Sequence, residues 1–270
     1  MIKLKENEFQ AITTYVYDNY GVDLRKKKHL IEGRLSHHIS TLGFTNFMDY
    51  LDFVKQDKKT DEISTLINKL TTNHTYFLRE NEHFDFYKKT VLPWIENTLK
   101  SKDLRVWSAG CSSGQEPYTL AMITRDYLGN KLSSWDATIL ASDISEKVLN
   151  TAKNGVYSKE ELSKVPNEWI RKYFNDYDDD HMIVSEGLRK GVAYRKFNLL
   201  DPFRFKKPFQ AIFCRNVMIY FDIPTKNQIV KKYYDALEPG GYFFIGQSES
   251  LSAVTHSFKY VKPSIYQKEI

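Results

Sequence analysis

The most constraining feature of this chain is an apolar strand that runs straight into a glycine-bounded turn and then a helix. Leu104-Arg-Val-Trp-Ser108 leads into Ala109-Gly110-Cys-Ser-Ser-Gly114, and Pro117 stands near the start of a helical run holding Tyr118, Leu120, Ala121, Met122 and Ile123. Proline is tolerated in a first turn because the N–H it lacks would have no intrahelical acceptor there. Glycine adopts the positive φ that such turns need and lets a ligand approach the main chain closely. A unit of this kind puts a nucleotide-type ligand over the carboxyl end of a sheet, beside a helix N-terminus. The turn is not a phosphate-binding P-loop, because no Gly-Lys-Ser/Thr follows. It also lacks G-x-G-x-x-G, which argues against a nicotinamide oxidoreductase. Taken alone, it is equally compatible with a plain strand-to-helix connection.

The pattern continues downstream. Thr138-Ile-Leu-Ala-Ser142 is a second strand, ending at Asp143, with Ser145 placed to cap the next helix. Phe209-Gln-Ala-Ile-Phe-Cys214 is a later strand, followed by a helix from about Pro224 to Leu237, a Pro239-Gly240-Gly241 turn and a strand from Tyr242 to Gly246. Strands alternating with helices predict an α/β fold with a parallel sheet covered on both faces. Residues 155–197 break the rhythm. Two helical pieces, Ser158 to Lys164 and Pro166 to Phe174, lead to an acidic turn, Asp176 to Asp180. Two strand-like runs follow, His181 to Ser185 and Gly191 to Phe197, with Glu186-Gly187 between them as in a hairpin. A small antiparallel β insertion is expected there.

The N-terminal part reads as helical. Phe9, Ile12, Val16 and Tyr20 fall at near-helical spacing, and Gly21 ends that helix. A second stretch, Arg25 to Thr41, carries Leu30, Ile31, Leu35 and Ile39. Thr45 is placed to cap a third, with Phe47, Met48, Leu51 and Val54, and Asp61 a fourth, with Ile63, Leu66, Ile67 and Leu70. These amphipathic runs predict a small helical bundle over 1–72, a linker and linking helix over 73–102, and the sheet domain over 103–270.

Composition excludes several classes. No apolar run is long enough to span a bilayer, and the charged start, Met1-Ile-Lys-Leu-Lys-Glu-Asn-Glu, lacks the apolar core of a secretory signal. Two distant cysteines, Cys111 and Cys214, suit a reducing cytoplasm rather than a disulfide framework, and they form no zinc-binding spacing. The net charge of +5 is too mild to imply nucleic acid. Its distribution is local: Arg25-Lys-Lys-Lys28-His29, Arg34, His37 and His38 form a basic segment opposed only by Glu32. It is either a solvated face or a docking surface for an acidic partner.

Polar residues cluster where the strands end. Asp143 is placed to accept hydrogen bonds from ribose hydroxyls, although it lies further from Gly114 than the roughly 20 residues usual for dinucleotide folds. Arg215 and Asn216 follow an apolar strand and precede Val-Met-Ile-Tyr220-Phe221. Before the sheet, Thr71-Thr-Asn73-His-Thr75-Tyr-Phe-Leu-Arg79-Glu80 groups hydroxyls, an amide, aromatics and an arginine.

Together these segments resemble the CheR family of chemotaxis receptor glutamate methyltransferases. Thr-Thr-Asn-His-Thr-Tyr-Phe-Leu-Arg-Glu, Trp-Ser-Ala-Gly-Cys-Ser-Ser-Gly-Gln-Glu-Pro-Tyr, Ser-Asp-Ile-Ser and Phe-Cys-Arg-Asn-Val-Met-Ile-Tyr-Phe match it in order, over nearly the whole chain. The first and last of these are distinctive, whereas the Gly-rich turn is shared by many methyltransferases. One departure is Leu78, where the family usually has a second aromatic. The resemblance implies a Rossmann-like class I methyltransferase sheet with a helical N-terminal domain and a β insertion. It implies S-adenosyl-L-methionine as cofactor and S-adenosyl-L-homocysteine as product. Carried over, Asn73, Thr75 and Arg79 would meet the cofactor from the linker side. Gly110 would lie in its turn, Glu116 near its methionine portion and Asp143 at its ribose. Asn198 and Leu199 would flank the adenine, Arg215 and Asn216 would complete the pocket, and Arg79 and Tyr220 would lie nearest the transferred methyl group, with Arg79 holding either the acceptor carboxylate or the cofactor's own. The implied acceptor is glutamate in the cytoplasmic helix bundle of membrane chemoreceptors. A cytoplasmic monomer is expected, without nucleic acid or membrane insertion, and the basic segment Arg25–His38 is the candidate docking surface beside its reading as a solvated face. Two alternatives are a methyltransferase for another substrate and a non-catalytic S-adenosylmethionine-binding signalling module.

Overall fold

The computed structural model describes residues 2–57, 61–71, 74–99 and 101–270. Four N-terminal helices, α1 (Glu6–Tyr20), α2 (Lys28–Thr41), α3 (Phe47–Gln56) and α4 (Glu62–Leu70), face one another through the apolar positions anticipated above. Ile12, Val16, Ile31, Leu35, Ile39, Leu51 and Leu66 are almost fully buried there. Gly21 closes α1 at φ 72°, and the side chain of Asn46, rather than Thr45, caps α3 by accepting from the Asp49 N–H. Asp61 was expected to cap α4. It instead sits in a left-handed conformation without a side-chain cap bond, and its carboxylate takes Lys196 Nζ at 2.6 Å.

The linking segment is one continuous helical rod, α5 (Asn81–Phe86), a π-helical stretch (Tyr87–Val91) and α6 (Leu92–Thr98). Beyond it lies a seven-stranded sheet. Its strands are β1 (Val106–Ala109), β2 (Ile139–Asp143), β6 (Val192–Lys196), β7 (Phe209–Cys214), β8 (Leu237–Ile245), β9 (Lys259–Lys262) and β10 (Ile265–Gln267), in the order β6-β2-β1-β7-β8-β10-β9. The first five in that order are parallel, and the last two close it antiparallel. Helices α7 (Gln115–Leu128), α8 (Glu146–Asn154) and α11 (Ile223–Ala236) are among the crossovers, as parallel pairing requires. One face of the sheet shares a core with α11 and the N-terminal bundle, with Trp107, Ile212, Phe243 and Tyr233 in it. The other packs Val106, Ala141, Phe213 and Phe244 against α7 and the linking rod. Burial on both faces explains why β1 and β7 read as mostly apolar without alternation, Ser108 and Gln210 being their polar residues.

The insertion differs from its expected form. A three-stranded antiparallel sheet exists, in the order β3 (Val156–Ser158), β5 (His181–Val184), β4 (Phe174–Asp176). The expected hairpin does not. Helix α10 (Glu186–Arg189) occupies the supposed turn, and β6 pairs parallel with β2, Ile139 opposite Val192, as an edge of the main sheet. Residues 159–164 form turns, and the one helix of that region is α9 (Asn167–Tyr173).

Candidate active site

The carboxyl ends of β1, β2 and β7 open into a cleft of about 1090 Å³ roofed by the end of the helical bundle and by residues 74–79. Thr75, Arg79, Gly110, Glu116, Asp143, Asn198, Leu199, Arg215, Asn216 and Tyr220 all line it. Asn73 lies outside the described residues. Fold and sequence thus bring these candidates to one place from five separate stretches of chain.

The floor is the glycine turn. Gly110 has φ 78°, and a Cβ added there would stand 2.4 Å from Val217 Cγ2, so the turn and the loop after β7 touch main chain to side chain. Gly114 has φ 97°, and a Cβ would meet Ala152 Cβ at 2.8 Å and the Tyr157 hydroxyl at 2.9 Å. The Tyr157 hydroxyl donates to the Ser113 carbonyl at 2.6 Å, so the small sheet props the turn from below. The adjoining rim is Asp143. Its Oδ2 accepts the Ser112 N–H at 2.9 Å and its Oδ1 the Ser145 N–H at 3.0 Å. Burial pushes its carboxyl up, and these backbone donors oppose that rise.

Arg215 is the central organiser. Its guanidinium is buried, donates through Nη1 to Glu116 Oε2 at 2.9 Å and through Nη2 to Glu80 Oε2 at 3.0 Å, and also takes the Arg79 carbonyl. It lies over the Phe84 ring. Glu116 in turn accepts the Ser108 hydroxyl at 2.6 Å. A cation buried among two carboxylates and a carbonyl is a tie between linker and sheet. Glu80 was quoted in the sequence motif without a role, and here it is half of that tie. The buried Arg215 guanidinium holds the Glu80 carboxyl below its usual range, against desolvation that pushes it up. His83, packed behind, is pushed down to about 4 by burial and by Arg215, so it is neutral at pH 7.

Arg79 is different. Its Nη1 donates to the His74 carbonyl at 2.5 Å and its guanidinium lies 5.9 Å from the Tyr76 ring centroid, and among the described residues no carboxylate pairs with it. Asn198 braces the bundle, donating to the Asn19 carbonyl at 2.8 Å and accepting from the Leu200 N–H at 3.0 Å. Tyr220 sits on a short 3₁₀ turn (Met218–Tyr220), and its carbonyl accepts the Asp23 N–H at 2.8 Å. Val22 and Phe221 form an antiparallel bridge beside it, so the N-terminal bundle completes this wall of the cleft.

Two contributors had escaped notice in the sequence. One is Glu80. The other is Glu249, whose carboxylate accepts N–H groups from the loop after β7. Its only local signal is an acidic residue in the polar turn that follows strand β8, Gly246-Gln-Ser-Glu249.

Comparison with known proteins agrees with this architecture. Residues 73–267 match the family described as CheR methyltransferase, SAM binding domain, and residues 7–71 match CheR methyltransferase, all-alpha domain. The chain is similar to a chemotaxis protein methyltransferase of Borreliella burgdorferi, 42% identical over 99% of this chain and 96% of that protein. It is also similar to the protein of the same name from Escherichia coli, at 34% identity over 98% of this chain and 92% of the other. The site suits S-adenosylmethionine on its own observations. The glycine cradle would be filled by a Cβ, and a carboxylate is fixed at the end of the second strand, where a ribose would need an acceptor. With an all-helical domain in front and an S-adenosylmethionine-binding sheet domain behind, this chain is a member of the CheR methyltransferase family.

Proposed function

We propose that the protein methylates glutamate side chains of chemoreceptors, forming glutamate 5-O-methyl esters for sensory adaptation. The full-length similarity to proteins named chemotaxis protein methyltransferase supports the biological setting. The observation that carries the acceptor class is the unequal state of the two arginines in the cleft. Both terminal nitrogens of Arg215 are taken by Glu80, Glu116 and the Arg79 carbonyl, leaving only its buried Nε, whereas Arg79 spends one contact on the His74 carbonyl and keeps a fork of donors for a carboxylate, which we assign to the acceptor rather than to the cofactor.

The cofactor, when bound, supplies an electrophilic methyl group on a sulfonium. A glutamate carboxylate is already ionised at pH 7, with a reference pKa of about 4.3, so no residue has to remove a proton. The acceptor oxygen would take that methyl group in line with the sulfur, leaving S-adenosyl-L-homocysteine, so the residues of the cleft would have to hold the two reactants collinear. The protein's own work is alignment and exclusion of water. Arg79 holds the acceptor, Tyr220 orients it through its hydroxyl, and Glu116 meets the cofactor's methionine portion. Asn73 and Thr75 contact the cofactor from the linker. Asp143 takes its ribose, Asn198 and Leu199 its adenine, Gly110 its close approach, and Arg215 and Asn216 close the pocket. The protein works as a cytoplasmic monomer. Lys26, Lys27 and His37 are exposed and offer the acidic partner a docking face, while Arg25 and Lys28 of that segment already pair with Asp23, Asp222 and Glu6.

The test is incubation with methyl-labelled S-adenosylmethionine and chemoreceptor-containing membranes, then treatment with base. Carboxyl esters release labelled methanol, so volatile label is the expected result. Label that stays on the protein in base would show a different acceptor and overturn the reading.

A further inference from the structure

The loop that follows β7 carries Asn216, Val217, Tyr220 and Phe221 into the cleft, with only the 3₁₀ turn Met218–Tyr220 and the Val22–Phe221 bridge as regular structure. Asn216 has φ 59°, a left-handed conformation that asparagine tolerates better than other non-glycine residues and that hydrogen bonds on its main chain and side chain fix here. Its side-chain amide donates to Glu80 Oε1 at 3.3 Å, and its main chain is held by a second carboxylate, Glu249. Glu249 Oε2 accepts the Asn216 N–H at 3.0 Å and the Gly246 N–H at 2.6 Å, and Oε1 accepts the Ile219 N–H at 3.1 Å. The Met218 N–H also stabilises it. The turn that delivers Glu249 is closed by its own N–H on the Gly246 carbonyl at 2.9 Å. Gly246 must be glycine for this seat, since a Cβ there would lie 2.4 Å from Asn216 Nδ2 and 2.8 Å from Asn216 N.

We propose that Glu249 is a positioning residue for methyl transfer, a main-chain clamp that sets Asn216 and Tyr220 in the cleft. This rests on the assignment of Tyr220 to the reacting end of the site. Among the described residues Glu249 has no cationic partner. Its charge is spread over backbone donors of the loop, so a change in those donors moves the loop. A carboxylate is the group for the task, because each oxygen accepts and neither donates. Glutamine keeps the shape but turns an NH2 toward N–H groups that need an acceptor.

The experiment compares the parent, Glu249→Gln, Tyr220→Phe and the double variant. Binding sites are first counted by titration with S-adenosyl-L-homocysteine, so that loss of folded protein is separated from loss of rate. Turnover is then measured with chemoreceptor-containing membranes. In Glu249→Gln, kcat per binding site should fall on the order of tenfold to a hundredfold, as misplacement of a reacting group does. Affinity for S-adenosyl-L-homocysteine should fall less than kcat does, because, of the cofactor's surroundings, only Asn216 and Val217 ride on the clamped loop, while Glu116 and Asp143 stand on other elements. The double variant should lose much less than the product of the two single losses. Parental kcat per site in Glu249→Gln, or losses that multiply, would overturn the proposal. Parental turnover in Tyr220→Phe would instead overturn the role given to Tyr220, so the two failures are read from different variants.

Discussion

The two walls of the cleft are built by different means. The sheet wall inherits its geometry from ladders: Val106 sits opposite Ile139 and Ala211, and the residues at the strand ends follow. The linker wall, residues 74–80, has no ladder. It is pinned by Phe77, whose ring meets Tyr157 at 5.0 Å and Phe174 at 5.9 Å, and by Arg215 on the Arg79 carbonyl and the Glu80 carboxylate. It also holds two non-glycine residues at positive φ, Leu78 at 61° and Glu80 at 55°, each costing on the order of 1–3 kcal/mol. A wall without ladder partners therefore leans on one buried ring and one buried cation, and the strand ends of the other wall do not.

Breaking that cation should have the largest effect. Arg215→Ala leaves Glu80 and Glu116 without their buried partner, a loss on the order of 3–5 kcal/mol. Chemical denaturation should show it, and limited proteolysis should cut near residues 74–80 before it touches the sheet. Simultaneous loss of both walls would show that the sheet wall also depends on Arg215. Next comes Arg79→Ala, which leaves the Arg215 network in place. Stability should barely change, while turnover falls roughly a hundredfold or more, the scale for removing one donor aimed at reacting charge. Near-parental turnover would remove Arg79 from the site.

The same division governs what the sequence discloses. The strand-end residues Gly110, Asp143, Arg215 and Asn216 are visible because each follows an apolar run, and local pattern carries that information. The bundle helices show their 3.6-residue spacing for the same reason. The Arg215–Glu80 tie joins residues 135 apart, so no local pattern reports it. Strand β6 was misread as half of a hairpin because an alternating run records that it pairs, not with whom. Its partner is β2, and four residues of helix fill the supposed turn. The C-terminal strands β9 and β10 are short and interrupted by Pro263-Ser264, which masks their period. Only the family motifs pointed to the linker wall, because its order comes from tertiary contacts.

Acid should sharpen the contrast, since the titratable groups behind the linker wall are His83 and Glu80. In the unfolded chain His83 takes a proton near pH 6.5, but the folded protein resists it until about pH 4. Between those values the unfolded state binds more protons, so stability falls as pH drops, by roughly 3 kcal/mol across the window. Glu80 acts lower down. Its folded pKa is depressed, so its contribution is present above the ordinary carboxylate value and is lost as pH falls below it. His83→Gln should flatten the slope of stability against pH between 6.5 and 4 and leave the steeper acid limb. An unchanged slope would place the titrating group elsewhere.

The smallest effect is expected where the bundle meets the ladder-linked wall. Asp222 Oδ1 caps α11 by accepting the Thr225 N–H at 3.1 Å, and Oδ2 takes the Tyr17 hydroxyl at 2.8 Å and Arg25 at 3.1 Å. Arg25 is largely exposed, so that ion pair is screened and contributes little. The neighbouring Tyr220 and Phe221 are held by main-chain bonds to Asp23 and Val22, which no side-chain change removes. Asp222→Asn keeps a good helix cap and should alter stability and turnover by no more than the scatter of the measurements. Asp222→Ala loses the cap as well, for about 1 kcal/mol. A large loss of turnover in Asp222→Asn would mean that side chains of the bundle, and not its main chain, set Tyr220. The main-chain seam between bundle and loop would then lose its place in the contrast, because a charged side chain of α11's cap, beside Glu249, would set Tyr220.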